Sequence, residues 1–254
     1  MKLSRRNFIQ HSAVQIAGIA SVPMILSATL PSKKDKKKPA PPAYKKNGVV
    51  LFQGDSITDA GRNRKNLKPN DGWALGPGYA MLAGASLLKK KPAEQLSVYN
   101  RGISGNKVFQ LADRWQEDCI DLKPDILSIL VGVNDYWHKR NGKYDGTVET
   151  YENDFRALLK RTKEQLPDVV LVIGEPYAVD GGSAIGEDWQ AEFAPYRKVA
   201  KALSDEFGTY FIPYHSIYKK ALNYAPYTYW SPDGVHPSLA GAQLMAKAWL
   251  KVMS

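Results

Sequence analysis

The chain has 254 residues, room for one sizeable α/β domain and little more. Its formal net charge of +10 suggests a polyanion-binding protein, but ten of the 35 basic residues fall within residues 1–48 against a single acid, so the remainder is close to neutral and offers no basic groove for nucleic acid. A lone cysteine, Cys119, excludes an intramolecular disulfide and a cysteine-built zinc site, and its place in a helical pattern predicts a buried apolar role.

Residues 1–28 read as an export signal. Ser4-Arg5-Arg6-Asn7-Phe8-Ile9-Gln10 resembles the twin-arginine motif, and a moderately apolar stretch follows to Ala28. His11, Ser12, Gln15 and Ser21 dilute that stretch below the ~20 apolar residues that span a bilayer, so no stable membrane insertion is expected after signal removal. The expectation is an exported protein, periplasmic or extracellular. Residues 29–47 are rich in Lys, Pro and Ala. Like charges repel and proline blocks regular hydrogen bonding, which predicts an extended linker.

The body, residues 48–254, alternates. Val49–Phe52 is a short apolar run ending in a Gly-Asp-Ser turn and predicts a buried strand. Tyr79–Lys90 predicts a helix and Leu96–Asn100 a strand. Val108–Leu122 has helical spacing, with Val108, Leu111, Trp115 and Cys119 on one face. Ile126–Val131 predicts a strand, Thr147–Gln165 a helix and Val169–Ile173 a strand. Gln190–Phe207 predicts a helix kinked at Pro195, Thr209–Ile212 a strand and Leu239–Val252 a closing helix. Short apolar strands separated by helices imply a parallel sheet covered on both faces, a three-layer α/β/α sandwich with five strands. Sites in such sheets form at the carboxyl ends of the strands. The polar turns of this chain collect there: Asp55-Ser56, Ser104-Gly105-Asn106 and Asn134-Asp135.

Ser56 follows the first strand in Gln53-Gly54-Asp55-Ser56-Ile57-Thr58. Alone, a serine there reads first as a helix N-cap. A G-x-S-x-G elbow is absent, because Thr58 fills its last position, and no phosphate-binding P-loop occurs. A nucleophilic serine needs a base. Of the four histidines, His11 lies in the signal, His138 has no orienting acid beyond Asp135, and His215 reads as a buried or capping residue. His236 has Asp233 three residues earlier, in a turn stiffened by Pro232 and Pro237. Such a turn can set the carboxylate on one ring nitrogen and leave the other for Ser56. Taken alone, Asp-x-x-His reads first as a loop histidine. Gly105 and Asn134 are candidate donors to an oxyanion, through a backbone N–H and a side-chain amide. Each is individually weak evidence, since glycine and asparagine are common in turns.

Taken in order, Gly54-Asp55-Ser56-Ile57-Thr58, Asn100-Arg101-Gly102-Ile103-Ser104-Gly105-Asn106, Gly132-Val133-Asn134-Asp135 and Asp233-Gly234-Val235-His236-Pro237 resemble the four blocks of the SGNH, or GDSL-type, hydrolases. Thr58 stands where that family's eponymous leucine does. The resemblance implies the flavodoxin-like SGNH hydrolase fold, Ser56, Asp233 and His236 as catalytic residues, and an oxyanion hole from Ser56, Gly105 and Asn134. It implies no metal and no cofactor. Further stretches, among them Gly76-Pro77-Gly78-Tyr79, Arg114-Trp115-Gln116-Glu117-Asp118 and Asn134-Asp135-Tyr136-Trp137, are similar to the subgroup of bacterial acetyl esterases acting on xylan and xylo-oligosaccharides. That points to acetyl removal from carbohydrate esters, with Asp55, Tyr136, Trp137 and Trp230 as candidate substrate-binding residues and a homo-oligomer as an assembly seen among such enzymes. Alternatives are a lipid esterase, lysophospholipase or thioesterase on the same machinery, and a non-catalytic carbohydrate-binding protein.

Overall fold

The computed structural model describes residues 42–253, so the export signal and most of the linker lie outside the described residues. The end of the linker is fixed to the body. The Tyr44 hydroxyl donates to the carbonyl of Met253 at 2.8 Å, and Lys45 pairs with Asp125 at 2.8 Å. The folded body therefore begins a few residues before the expected boundary at residue 48.

Five strands form one parallel sheet: β1 (Val49–Gly54), β2 (Ser97–Asn100), β3 (Ile126–Leu130), β4 (Val170–Gly174) and β5 (Tyr210–Ile212), in the order β2-β1-β3-β4-β5. Val50 pairs with Val98 on one side and with Ile126 on the other, which places β1 at the centre of the order reversal. The three central strands, β1, β3 and β4, are almost wholly buried, as expected of a parallel sheet covered twice.

The helices are α1 (Ser56–Asp59), α2 (Gly72–Leu75), α3 (Tyr79–Lys90), α4 (Val108–Asp113), α5 (Val133–Arg140), α6 (Val148–Gln165), α7 (Trp189–Glu206), α8 (Tyr214–Ala221), α9 (Tyr227–Trp230) and α10 (Leu239–Met253). α3 packs against α10, and α6 packs against α4 and α7. With right-handed crossovers these groups cover opposite faces of the sheet. On the first face Phe52 meets Tyr79 and Trp249, with ring centroids 5.7 and 5.1 Å apart. Ser128, small and buried on β3, accepts the Trp249 indole N–H at 3.1 Å. On the other face Trp115 donates to the hydroxyl of Thr162 at 2.9 Å.

Two helices depart from the sequence reading. The helix expected over Val108–Leu122 stops at Asp113 and resumes as a π turn over Gln116–Ile120. The break coincides with Arg114, whose guanidinium turns toward the sheet's carboxyl edge and bonds Asn106, Arg101, Gln53 and Asp118. α7 runs through Pro195 as one helix. α5 and α8 have no counterpart in the sequence reading.

Candidate active site

The chain leaves β1 toward β2 in one direction and returns to β3 in the other, so a crevice opens beyond Gly54. Gly54 is required there, because a Cβ would collide with the Leu130 carbonyl of the neighbouring strand. Asp55 caps α1 by accepting the Ile57 N–H at 3.0 Å. Ser56, the first residue of α1, is thereby turned up at the crevice floor, half-buried. Asp55 lies beneath it, 1% exposed, with Oδ2 unpartnered among the described residues. Burial pushes its pKa up to about 7.

A turn of residues 100–106 bolts onto this first turn. Asn100 donates to the carbonyls of Thr58 and Leu75 at 2.6 and 2.7 Å, and accepts from Gly102 N–H at 2.8 Å. The buried carboxylate of Asp59 accepts from both the backbone N–H and the hydroxyl of Ser104, at 2.9 and 2.7 Å, and from Arg64. Burial raises its pKa, but the Arg64 and Ser104 hydrogen bonds outweigh it and hold it below the ordinary carboxylate value. Gly105 follows with φ of +83°, left-handed backbone that favours glycine. Among the described residues the N–H groups of Ser56 and Gly105 meet no protein acceptor. Asn134, in the first turn of α5, spends one amide N–H on the Asn106 carbonyl at 3.2 Å and keeps the other.

His236 comes from the turn before α10. Its Nε2 lies 2.8 Å from Ser56 Oγ, and its Nδ1 lies 2.6 Å from Asp233 Oδ2. The other Asp233 oxygen accepts the N–H groups of Val235 and His236 at 2.9 and 2.7 Å, which fixes the carboxylate in the plane the ring needs. The bond to Asp233 raises the His236 pKa, burial opposes it and the charge of Asp55 adds to it. Burial raises the Asp233 carboxyl, but the bonds from His236 and the backbone win and hold it low. Residues 179–184 brace the turn: Val179 N–H donates to Gly234 O at 2.7 Å, and Ala184 N–H to Asp233 O at 3.0 Å. This brace and the Asp59–Ser104 contact leave no local signal in the sequence, because their partners lie about 45 residues or more apart.

Beside Ser56 a cavity of about 250 Å³ is lined by Ile57, Ala60, Pro77, Gly78 and Ala242. His236 and Pro237 also form part of its wall. A Cβ on Gly78 would stand 2.5 Å from that of Ala60. Among the described residues no group of His, Cys, Asp and Glu is arranged to hold a metal ion.

The chain matches the GDSL-like lipase/acylhydrolase family over residues 52–244. The chain belongs to this family. As a GDSL-type hydrolase it is a carboxylic ester hydrolase with the SGNH fold, acting on a small-molecule or carbohydrate ester. It is 33% identical to an acetylxylan esterase of Geobacillus stearothermophilus over 208 residues, covering 80% of this chain and 92% of that protein. Among solved structures it is similar to a protein of Parabacteroides merdae described as GDSL-like, at 52% identity and a TM-score of 0.81, covering 83% of this chain and 97% of the other. It is also similar to Axe2, an acetylxylan esterase from Geobacillus stearothermophilus, at 31% identity and a TM-score of 0.75, over 83% and 96% of the two chains.

In this hydrolase two of the four expected substrate-binding residues are placed elsewhere. Tyr136 is buried among Trp189, Phe193 and Tyr196, and its hydroxyl bonds Glu192 at 2.7 Å, so it supports the core. Its aromatic neighbours on α7 closed over it, which spacing along α5 does not reveal. Asp55 is sealed beneath Ser56 and acts on the site by capping α1 and by its charge on His236. Trp230 is half-buried and ties α9 to α8 through its indole N–H, bonded to the carbonyls of Ala221 and Ala225. Trp137 does face the site, its ring 6.5 Å from that of His236. Cys119 is buried, as expected.

Proposed function

We propose that this hydrolase is a serine esterase that removes short acyl groups, acetyl foremost, from the hydroxyls of carbohydrates such as xylan or its oligosaccharides. The observation that carries the chemistry is the unbroken line from Ser56 Oγ through His236 to Asp233, at 2.8 and 2.6 Å. In this reading Ser56 attacks the ester carbonyl while His236 accepts its proton. The developing oxyanion is held by the N–H groups of Ser56 and Gly105 and by the Asn134 amide. Asp233 fixes the ring and stabilises the imidazolium. His236 then protonates the leaving alcohol, and water activated by the same nitrogen releases the acid and restores Ser56.

The acetylxylan esterase relatives support acetyl on carbohydrate. Ser56→Ala is expected to lose turnover of an aryl acetate by on the order of 10⁴-fold or more while keeping its melting temperature. Wild-type turnover in that variant would refute the nucleophile. Chain-length profiling tests the acyl group, since a preference for long acyl chains would place the substrate among lipids. The twin-arginine-like start supports export, tested by recovering the processed form from the native envelope.

A further inference from the structure

The site has a histidine that the acyl-transfer reaction does not use. In α5, Asn134, Trp137 and His138 stand at i, i+3 and i+4 and share one face. Asn134 reaches the Asn106 carbonyl, and Trp137 reaches the His236 ring. His138 Cε1 lies 4.0 Å from where a Cβ on Gly105 would stand. One stripe of α5 thus reaches from the His236 turn to the Gly105 turn. Because Gly105 has no side chain, nothing on that residue screens the imidazole edge from a bound ester.

The His138 ring is held by an uncommon partner. Lys107, only 7% exposed, brings Nζ to 3.3 Å from His138 Nδ1. The ammonium also stands over the rings of Phe109 and Tyr144, 5.4 and 5.2 Å from their centroids, and those rings stack on each other. Among the described residues Lys107 forms no salt bridge, so its ammonium is committed to the rings and the imidazole. An ammonium only donates, so Nδ1 accepts and the proton of the neutral ring sits on Nε2. Burial and the charges of Lys107 and Lys143 favour that neutral ring. Nε2 has no protein partner among the described residues, and it is not sealed from solvent.

We propose that His138 is a specificity-determining donor, its Nε2–H fixed outward by Lys107 to take an acceptor oxygen on the alcohol half of the ester. The proposal rests on the acetyl-carbohydrate reading. An acetyl group has no acceptor beyond its carbonyl, whereas a sugar presents hydroxyl and ring oxygens next to the ester. Trp137, on the same stripe, supplies an aromatic surface beside them.

The experiment compares an O-acetylated xylobiose with 4-nitrophenyl acetate on wild type, His138→Phe and His138→Gln. Phenylalanine keeps the ring and removes the donor, and glutamine restores an N–H donor. In His138→Phe the ratio of kcat/KM on the sugar ester to that on the aryl ester is expected to fall about fivefold to tenfold, the worth of one neutral hydrogen bond, chiefly through KM. His138→Gln should recover part of that ratio. Long-range proton–nitrogen correlation should show the Nε2–H tautomer of His138 in wild type, and a mixture in Lys107→Met. An unchanged ratio in His138→Phe, or an Nδ1–H tautomer in wild type, overturns the proposal. Wild type that cleaves the aryl ester but not the sugar ester overturns the carbohydrate reading and this proposal with it. Activity on both esters with equal loss in His138→Phe overturns this proposal alone.

Discussion

At the residue scale, the division of labour at His236 is set by its two nitrogens. Asp233 holds Nδ1 and raises the ring's pKa, leaving Nε2 at Ser56. A base must be neutral to accept a proton, so activity should rise with pH through a pKa above the ordinary imidazole value. In Asp233→Asn the cause that raises it is removed, and the acid limb of kcat/KM should move to lower pH. Turnover should fall on the order of 1,000- to 10,000-fold, as the orienting carboxylate is lost. A pH–rate profile on an aryl acetate measures both, and an acid limb that stays in place would separate Asp233 from His236. The Asp233–His236 pairing was legible because both residues sit in one short turn between Pro232 and Pro237. Asp55 was legible as a motif position but not in its role, since sequence shows adjacency to Ser56 and not burial beneath it.

At the element scale, the turns at the sheet's carboxyl edge depend on each other. Asp59 closes α1 and carries the Ser104 N–H and hydroxyl, so it holds the turn that presents Gly105. Asp59→Ala would leave Ser104 unpaired and release Arg64, at a cost of about 2 kcal/mol, reduced because Arg64 is half-exposed. Turnover should fall at least tenfold, beyond what the loss of stability explains, as measured at a temperature where the variant is fully folded. Turnover equal to wild type there would show that Gly105 is placed without Asp59. Long strands and helices with clear periodicity were readable in the sequence. α5 was not, because Asn134-Asp135 looks like a turn and its apolar face is aromatic rather than aliphatic. The break after α4 was hidden too, since Arg114 acts on residues of β1 and of the 100–106 turn, far from it in sequence or on another element.

At the scale of the whole molecule, the order of the sheet brings two carboxyls together in the interior. Asp55 and Asp135 are each buried, each with one oxygen unpartnered among the described residues, and burial pushes each pKa up to about 7. Unfolded, these carboxyls lose their protons near pH 4, whereas the folded protein retains them to about 7. The folded state binds more protons across that window, so their contribution to stability falls as pH rises through it. Asp135→Asn removes one such group. Its melting temperature relative to wild type should therefore rise between pH 5 and pH 8, by differential scanning calorimetry. A difference independent of pH would mean that Asp135 is ionised throughout. The parallel five-stranded architecture was legible from alternating apolar runs. This interior meeting was not, because Asp55 follows β1 while Asp135 follows β3, and only the reversal of strand order makes them neighbours.

The Tyr44–Met253 hydrogen bond ties the first described residues to the end of α10 at the amino edge of the sheet. Ser56 stands at the other edge, the length of a six-residue strand away, or about 20 Å. A resin or electrode coupled through residues preceding Tyr44 would thus grip the hydrolase at its base. The crevice would face the bulk solution, where an ester substrate reaches it without first crossing the support.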